Sequence, residues 1–183
     1  MQIEKTNIEG LLVITPRVFN DNRGYFMESY NHAQWFKSLG VSFVQDNESL
    51  SKKGVLRALH FQNPPFAQDK LVRVVKGAVL DVAVDLRIDS PTYGQHYKII
   101  LSAENKKQFF IPKGFAHGFL ALEEGSIFSY KCSNYYHAES EENILWNDPD
   151  IGIDWGVKNP LISERDAKAT LFRDYQSQFK LHQ

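Results

Sequence analysis

Between Lys70 and Arg87 the chain reads KLVRVVKGAVLDVAVDLR. In its second half Leu80, Val82, Val84 and Leu86 alternate with Asp81, Ala83, Asp85 and Arg87, the two-residue period of a half-buried strand. Lys76-Gly77 supplies the turn into it. Further apolar or β-branched runs follow at Tyr97 to Leu101, Gln108 to Pro112, Gly118 to Glu123 and Ser126 to Ser133, cut apart by Gly, Pro, Asn or charged clusters. Many short strands at regular spacing predict an all-β sandwich or barrel.

Working outward, helical signals are few. Asn31 is placed to cap a short segment through Ala33, Trp35, Phe36 and Leu39, stopped by Gly40, and Ser163-Glu164-Arg165-Asp166 reads as a helix start. Neither supports an alternation of strand and helix. The run Leu11 to Ile14 suits a strand, while His137 to Asn143 and Asn147 to Pro160 read as loops. The tail from Asp166 to Gln183 is expected to be a helical or irregular cover. No repeat or linker divides the chain, so one domain is expected over residues 1–183.

The 183 residues are 43% hydrophobic, enough to bury a substantial core without metal or disulfide support. Twenty-one Lys and Arg nearly cancel 22 Asp and Glu, leaving a net charge of -1. No global field draws the protein to nucleic acid or acidic membrane, and any anionic ligand must meet a local basic cluster. The one cysteine, Cys132, excludes an intramolecular disulfide framework. The opening Met-Gln-Ile-Glu-Lys-Thr-Asn lacks the apolar run of a signal peptide, and nothing approaches the roughly 20 apolar residues of a membrane helix. A soluble, cytoplasmic protein is expected.

Polar strand residues are the informative ones, because splayed sheets can line a cavity. Asp81, Asp85, Arg57 and His60 are candidates for that side, although a solvated strand face would explain each alone. Arg57 and His60 lie inside the apolar run Val55-Leu56-Arg57-Ala58-Leu59-His60-Phe61-Gln62, where burial demands partners or a cavity. A metal is the first rival use of His60 and of His117. The spacing argues against it: His60 is followed by Phe61 and Gln62, with no second ligand at a same-face position.

Together several ordered motifs carry a family likeness. They are Asp21-Asn22-Arg23-Gly24-Tyr25-Phe26, Gln45-Asp46-Asn47, Leu56 to Gln62, Ala116-His117-Gly118-Phe119, Tyr130-Lys131-Cys132, Trp146-Asn147-Asp148-Pro149 and Ser163 to Asp166. On these the chain resembles dTDP-4-dehydrorhamnose 3,5-epimerases over nearly its full length. The resemblance implies a cupin-type jelly roll with a few short helices, usually a homodimer, acting on a dTDP-4-keto-6-deoxy sugar without metal or redox cofactor. It departs at Ala58, where glycine is common, at Phe61, where tyrosine is frequent, and at Trp155-Gly156, where Trp-Pro is usual. A positive φ at position 58 would strain alanine and misplace His60.

By similarity His60 is the base and Asp166 its carboxylate partner; from the residues alone, the favoured reading of Asp166 is a capping pattern with Ser163. Tyr130 matches the proton donor, Lys70 the cation beside the C4 oxygen. Packing would account for Tyr130 and a solvated strand entry for Lys70. The resemblance further implies substrate contacts for Arg23, Glu28, Gln45, Asp46, Asn47, Arg57, His117, Glu141 and Arg165, and thymine stacking for Phe19, Phe26 or Tyr136. It also implies that the strand region carrying Arg23 and Glu28 crosses to the partner subunit. Rivals are a single-carbon epimerase, a non-catalytic sugar-binding cupin and a metal-dependent cupin.

Overall fold

A computed structural model describes residues 1–181. The strands are β1 (Gln2–Lys5), β2 (Leu12–Thr15), β3 (Val18–Asp21), β4 (Gly24–Met27), β5 (Gln45–Ser51), β6 (Leu56–Gln62), β7 (Lys70–Lys76), β8 (Ala78–Asp85), β9 (His96–Ser102), β10 (Gln108–Ile111), β11 (Phe115–Ala121), β12 (Ser126–Cys132) and β13 (Glu141–Asn143). They form a six-stranded sheet in the order β1-β2-β10-β7-β12-β5, a five-stranded sheet β13-β6-β11-β8-β9, and a separate β3-β4 hairpin. Every pairing between these strands is antiparallel. The expected all-β, cupin-type sandwich is what the chain adopts.

The two large sheets bury a shared core: Val13, Val72, Phe109 and Phe128 from one meet Val79, Ala83, Leu101 and Phe119 from the other. Gly77 is where the chain passes between them, since β7 and β8 belong to different sheets. Its φ of +74° is open to glycine, and a Cβ there would fall 2.5 Å from Ser126 Oγ. The turn therefore hands the chain across the sandwich and does not close a hairpin.

Strand β8 differs from the half-buried strand its alternation suggests. Both of its faces are covered. Val79 and Ala83 meet the six-stranded sheet. Val82 and Val84 lie beneath Ile151, Trp155, Tyr175 and Phe179 of the C-terminal segment. Local alternation reports polarity, and this cover is a long-range event. The tail is mostly irregular, with α2 (Glu164–Ala167) as its one short α-helix. Helix α1 (His32–Leu39) has its predicted bounds: Asn31 Oδ1 accepts from the N–H groups of Ala33 and Gln34, and Gly40 N–H closes onto Phe36 O at 2.8 Å. Part of the expected loop at 137–143 is instead an edge strand, β13, paired with β6.

Asp85 is structural. Fully buried, it accepts from Arg87 Nε at 2.8 Å and Nη2 at 2.7 Å, and from Ser90 and Thr92 hydroxyls at 2.6 and 2.7 Å. Burial raises its pKa, but these donors outweigh that and hold it below the ordinary aspartate value. We expect Asp85→Ala to cost about 3–5 kcal/mol, because Arg87 is left buried and unpaired. A depressed folded pKa contributes stability that is complete above the unfolded value and fades as pH falls below about 4. Urea melts at pH 7 and pH 3 should therefore show the variant's deficit shrinking in acid.

Candidate active site

The sheets diverge around a pocket whose walls come from both. Strand β6 brings Arg57 and His60, and β11 brings His117; facing them are Asn47 and Ser49 of β5, Lys70 of β7 and Tyr130 of β12. Two adjoining hollows of about 170 and 160 Å³ share His60, Lys70 and Tyr130. His60 and Tyr130 thus stand on opposite sheets across one cavity.

A regular strand would send residues 57 and 60 to opposite faces. Here His60 pairs with His117 and Arg57 with Phe119, so β6 spends three steps where β11 spends two. This bulge turns Arg57 and His60 to the same side. Gly118 makes room for it: a Cβ there would lie 2.5 Å from Ala58 Cβ and 2.7 Å from Arg57 O. Ala58 does not adopt the positive φ that would have misplaced His60: Lys106 is the one non-glycine residue with positive φ among those described.

Asp166 meets His60 Nε2 at 2.7 Å and is almost fully buried. Ser163 Oγ accepts from Asp166 N–H at 3.0 Å, so Ser163 caps α2 while the Asp166 carboxylate is committed to the imidazole. Asn143 Nδ2 also donates to that carboxylate, at 3.3 Å. Burial raises the Asp166 pKa, yet the hydrogen bond and charge of His60 leave it lowered overall. Asp166 is therefore ionised at neutral pH and able to balance an imidazolium.

Burial lowers the Lys70 pKa, and its Nζ donates to His60 O at 3.4 Å. Burial raises that of Tyr130, which keeps its phenol protonated. His117 Nε2 sits 3.0 Å from both oxygens of Asp81, whose pKa burial pushes up. At the mouth, Glu141 accepts from Tyr136 Oη at 2.8 Å and from Arg165. Arg57, Arg165 and His60 line a further opening beside Asp166. The bulge and the cap thus gather His60, Lys70, Tyr130, Asp166, Arg57, His117, Glu141, Arg165, Gln45, Asn47 and Tyr136 in and around one cavity.

Five expected site residues lie elsewhere in the chain. Asp46 points off the opposite face of β5 into an ion pair with Lys131 at 2.7 Å. The β3-β4 hairpin carries Phe19, Arg23 and Phe26, with Arg23 held by Asp21 and the two rings 6.4 Å apart. Glu28 accepts from Asn31 Nδ2 and lines a separate hollow with Phe19, Phe26 and Arg17. Conversely, Asn143 and Ser49 escaped the sequence reading. Asn143 was hidden by reading 137–143 as loop, whereas Ser49 follows from the period-two step after Gln45 and Asn47.

The dTDP-4-dehydrorhamnose 3,5-epimerase profile matches residues 5–174. The chain belongs to the dTDP-4-dehydrorhamnose 3,5-epimerase family. A dTDP-4-dehydrorhamnose 3,5-epimerase of Shigella flexneri is 51% identical over 176 residues, 95% of this chain and 97% of that one. The structure of dTDP-6-deoxy-D-glucose-3,5-epimerase from Legionella pneumophila, in complex with dTDP-4-keto-L-rhamnose, is 48% identical with a TM-score of 0.92, covering 96% of this chain and 94% of that one. More distant is a 3'-monoepimerase from Streptomyces bikiniensis in complex with dTDP-quinovose, 33% identical with a TM-score of 0.86, covering 91% and 85%. Among the described residues no group of three or more His, Cys, Asp or Glu is placed to hold a metal ion. No described helix is long and apolar enough to cross a membrane.

In this family member, Gly118→Ala should force the β6 bulge apart. An unfolding free energy lower by about 1–3 kcal/mol is expected in urea, the usual cost of overpacking.

Proposed function

We infer that this chain is a dTDP-4-dehydrorhamnose 3,5-epimerase. It inverts C3 and C5 of dTDP-4-dehydro-6-deoxy-D-glucose to give dTDP-4-dehydro-L-rhamnose, in dTDP-L-rhamnose biosynthesis. The observation that carries this is an imidazole backed by a buried carboxylate on one sheet and a protonated phenol on the other, with a lysine between them. Hydrogens beside the C4 ketone are weakly acidic. His60 removes one from C3 or C5 and becomes imidazolium against Asp166; the bond electrons flow to the C4 oxygen, where Lys70 meets the enolate charge. Tyr130 then returns a proton to the carbon from the opposite face. Its phenolate is reprotonated from solvent, and His60 gives up its captured proton there.

Two faces are the essential point, since a proton returned by His60 would restore the original configuration. One cation in a water-poor cavity can lower such a barrier by several kcal/mol. Arg57 and Arg165 suit the diphosphate, and Tyr136 at the mouth is available to stack on thymine. The working unit is a cytoplasmic homodimer of a single-domain chain. Phe19, Tyr25 and Phe26 are exposed on the hairpin, a surface suited to a partner, and exchange of that hairpin would bring Arg23 and Glu28 to the neighbouring pocket.

The second reading is a single-carbon epimerase, favoured by the likeness to a 3'-monoepimerase. Incubation with dTDP-4-keto-6-deoxyglucose in deuterated water decides between them: label and inversion at both C3 and C5 are expected, and label at one carbon alone selects the rival. His60→Ala should abolish exchange at both carbons, whereas Tyr130→Phe should still admit exchange while losing inversion. Full epimerisation by pure His60→Ala would remove His60 as the base.

The pH profile gives a further check. Lys70 must be charged to hold the enolate, and its lowered pKa means it loses its proton below the ordinary lysine value of about 10.4. Tyr130 is shifted upward. The alkaline fall in kcat should therefore track Lys70 and move to higher pH in Lys70→Arg.

A further inference from the structure

Strand β5 turns Gln45, Asn47, Ser49 and Ser51 toward the interior, and the other three side chains already have partners. Gln45 Nε2 donates to Asn47 Oδ1 at 3.1 Å, and Asn47 Nδ2 reaches Cys132 Sγ at 3.6 Å. Ser51 Oγ accepts from Arg57 Nε at 3.2 Å. Ser49 Oγ is buried and has none. Among the described residues only Tyr30 Oη shares that condition, and Tyr30 does not line the His60 pocket. Ser49 does, beside Arg57, His60, Lys70, His117 and Tyr130.

A buried hydroxyl without a partner is costly, and one facing a polar cavity has its missing partner supplied by what enters. We propose that Ser49 is a substrate-positioning and specificity-determining residue whose hydroxyl binds the C2 hydroxyl of the sugar ring. This rests on the epimerase reading above. On a 4-keto-6-deoxyhexose joined through C1 to diphosphate, hydroxyls remain at C2 and C3. The C3 hydroxyl swings across the ring when that carbon inverts. C2 is not a reacting carbon and keeps its configuration throughout, so a side chain fixed on a strand can hold its hydroxyl as the neighbouring carbon changes.

The test compares wild type and Ser49→Ala on the parent dTDP-4-keto-6-deoxyglucose and on its 2-deoxy and 3-deoxy analogues, following deuterium exchange at C5. Wild type that fails to exchange the parent sugar overturns the epimerase reading, a result separable from anything Ser49 does. Given exchange, kcat/KM of Ser49→Ala on the parent should fall about 5- to 30-fold, the size of one hydrogen bond to a buried polar site. Wild type should lose a similar factor on the 2-deoxy sugar, and Ser49→Ala should lose nothing more there. Multiplying losses, or a Ser49→Ala penalty that vanishes on the 3-deoxy sugar instead, would overturn the assignment. The melting temperature of Ser49→Ala should not drop, since no protein hydrogen bond is broken. Ser49→Cys, close in size with a weak donor, should fall between the two in kcat/KM; equality with Ser49→Ala in stability but not in rate is the mark of a ligand contact.

Discussion

The bond between His60 and Asp166 spans 106 positions of chain and ties the C-terminal cover to the pocket. Without the carboxylate the imidazole would be free to turn and its charge would go unbalanced in a poorly hydrated cavity. The C-terminal segment that delivers Asp166 also seals the outer face of β8 with Tyr175 and Phe179. Folding of that cover and assembly of the site are thus one event. Asn143 joins it from β13, steadying the carboxylate at 3.3 Å.

Each imidazole at the interior gap between the sheets has a carboxylate partner. His60 rests on Asp166, and His117 rests on Asp81. Lys70 has a backbone carbonyl at 3.4 Å and, among the described residues, no carboxylate within ion-pair reach. Its burial lowers its pKa, the cost of keeping a cation available for a charge that appears only during reaction. Tyr130 is shifted the opposite way by the same burial. One dry cavity therefore makes the lysine a readier proton loser and the phenol a firmer proton holder.

Much of this was legible in one dimension. Strand positions follow from apolar runs and their punctuation, and α1 from Asn31 and Gly40, because these are local rules of backbone geometry. The family likeness rested on ordered motifs that the strands then carried into one pocket. Where local pattern misled, a distant segment was responsible: alternation in β8 resembles a half-exposed strand, yet the C-terminal cover buries its outer face, and the end of the polar stretch, Glu141–Asn143, pairs with β6 as an edge strand.

The sequence by itself determined the strand content, the absence of an intramolecular disulfide and the near-neutral charge that makes any anion site local. Tertiary structure alone decided which polar residues share a cavity. A bulge opposite Gly118 turned Arg57 and His60 to one face, the strand period sent Asn47 inward and Asp46 outward, and chain return brought Asp166 to His60. Side-chain direction depends on register, and register is set by pairing between segments far apart in the chain.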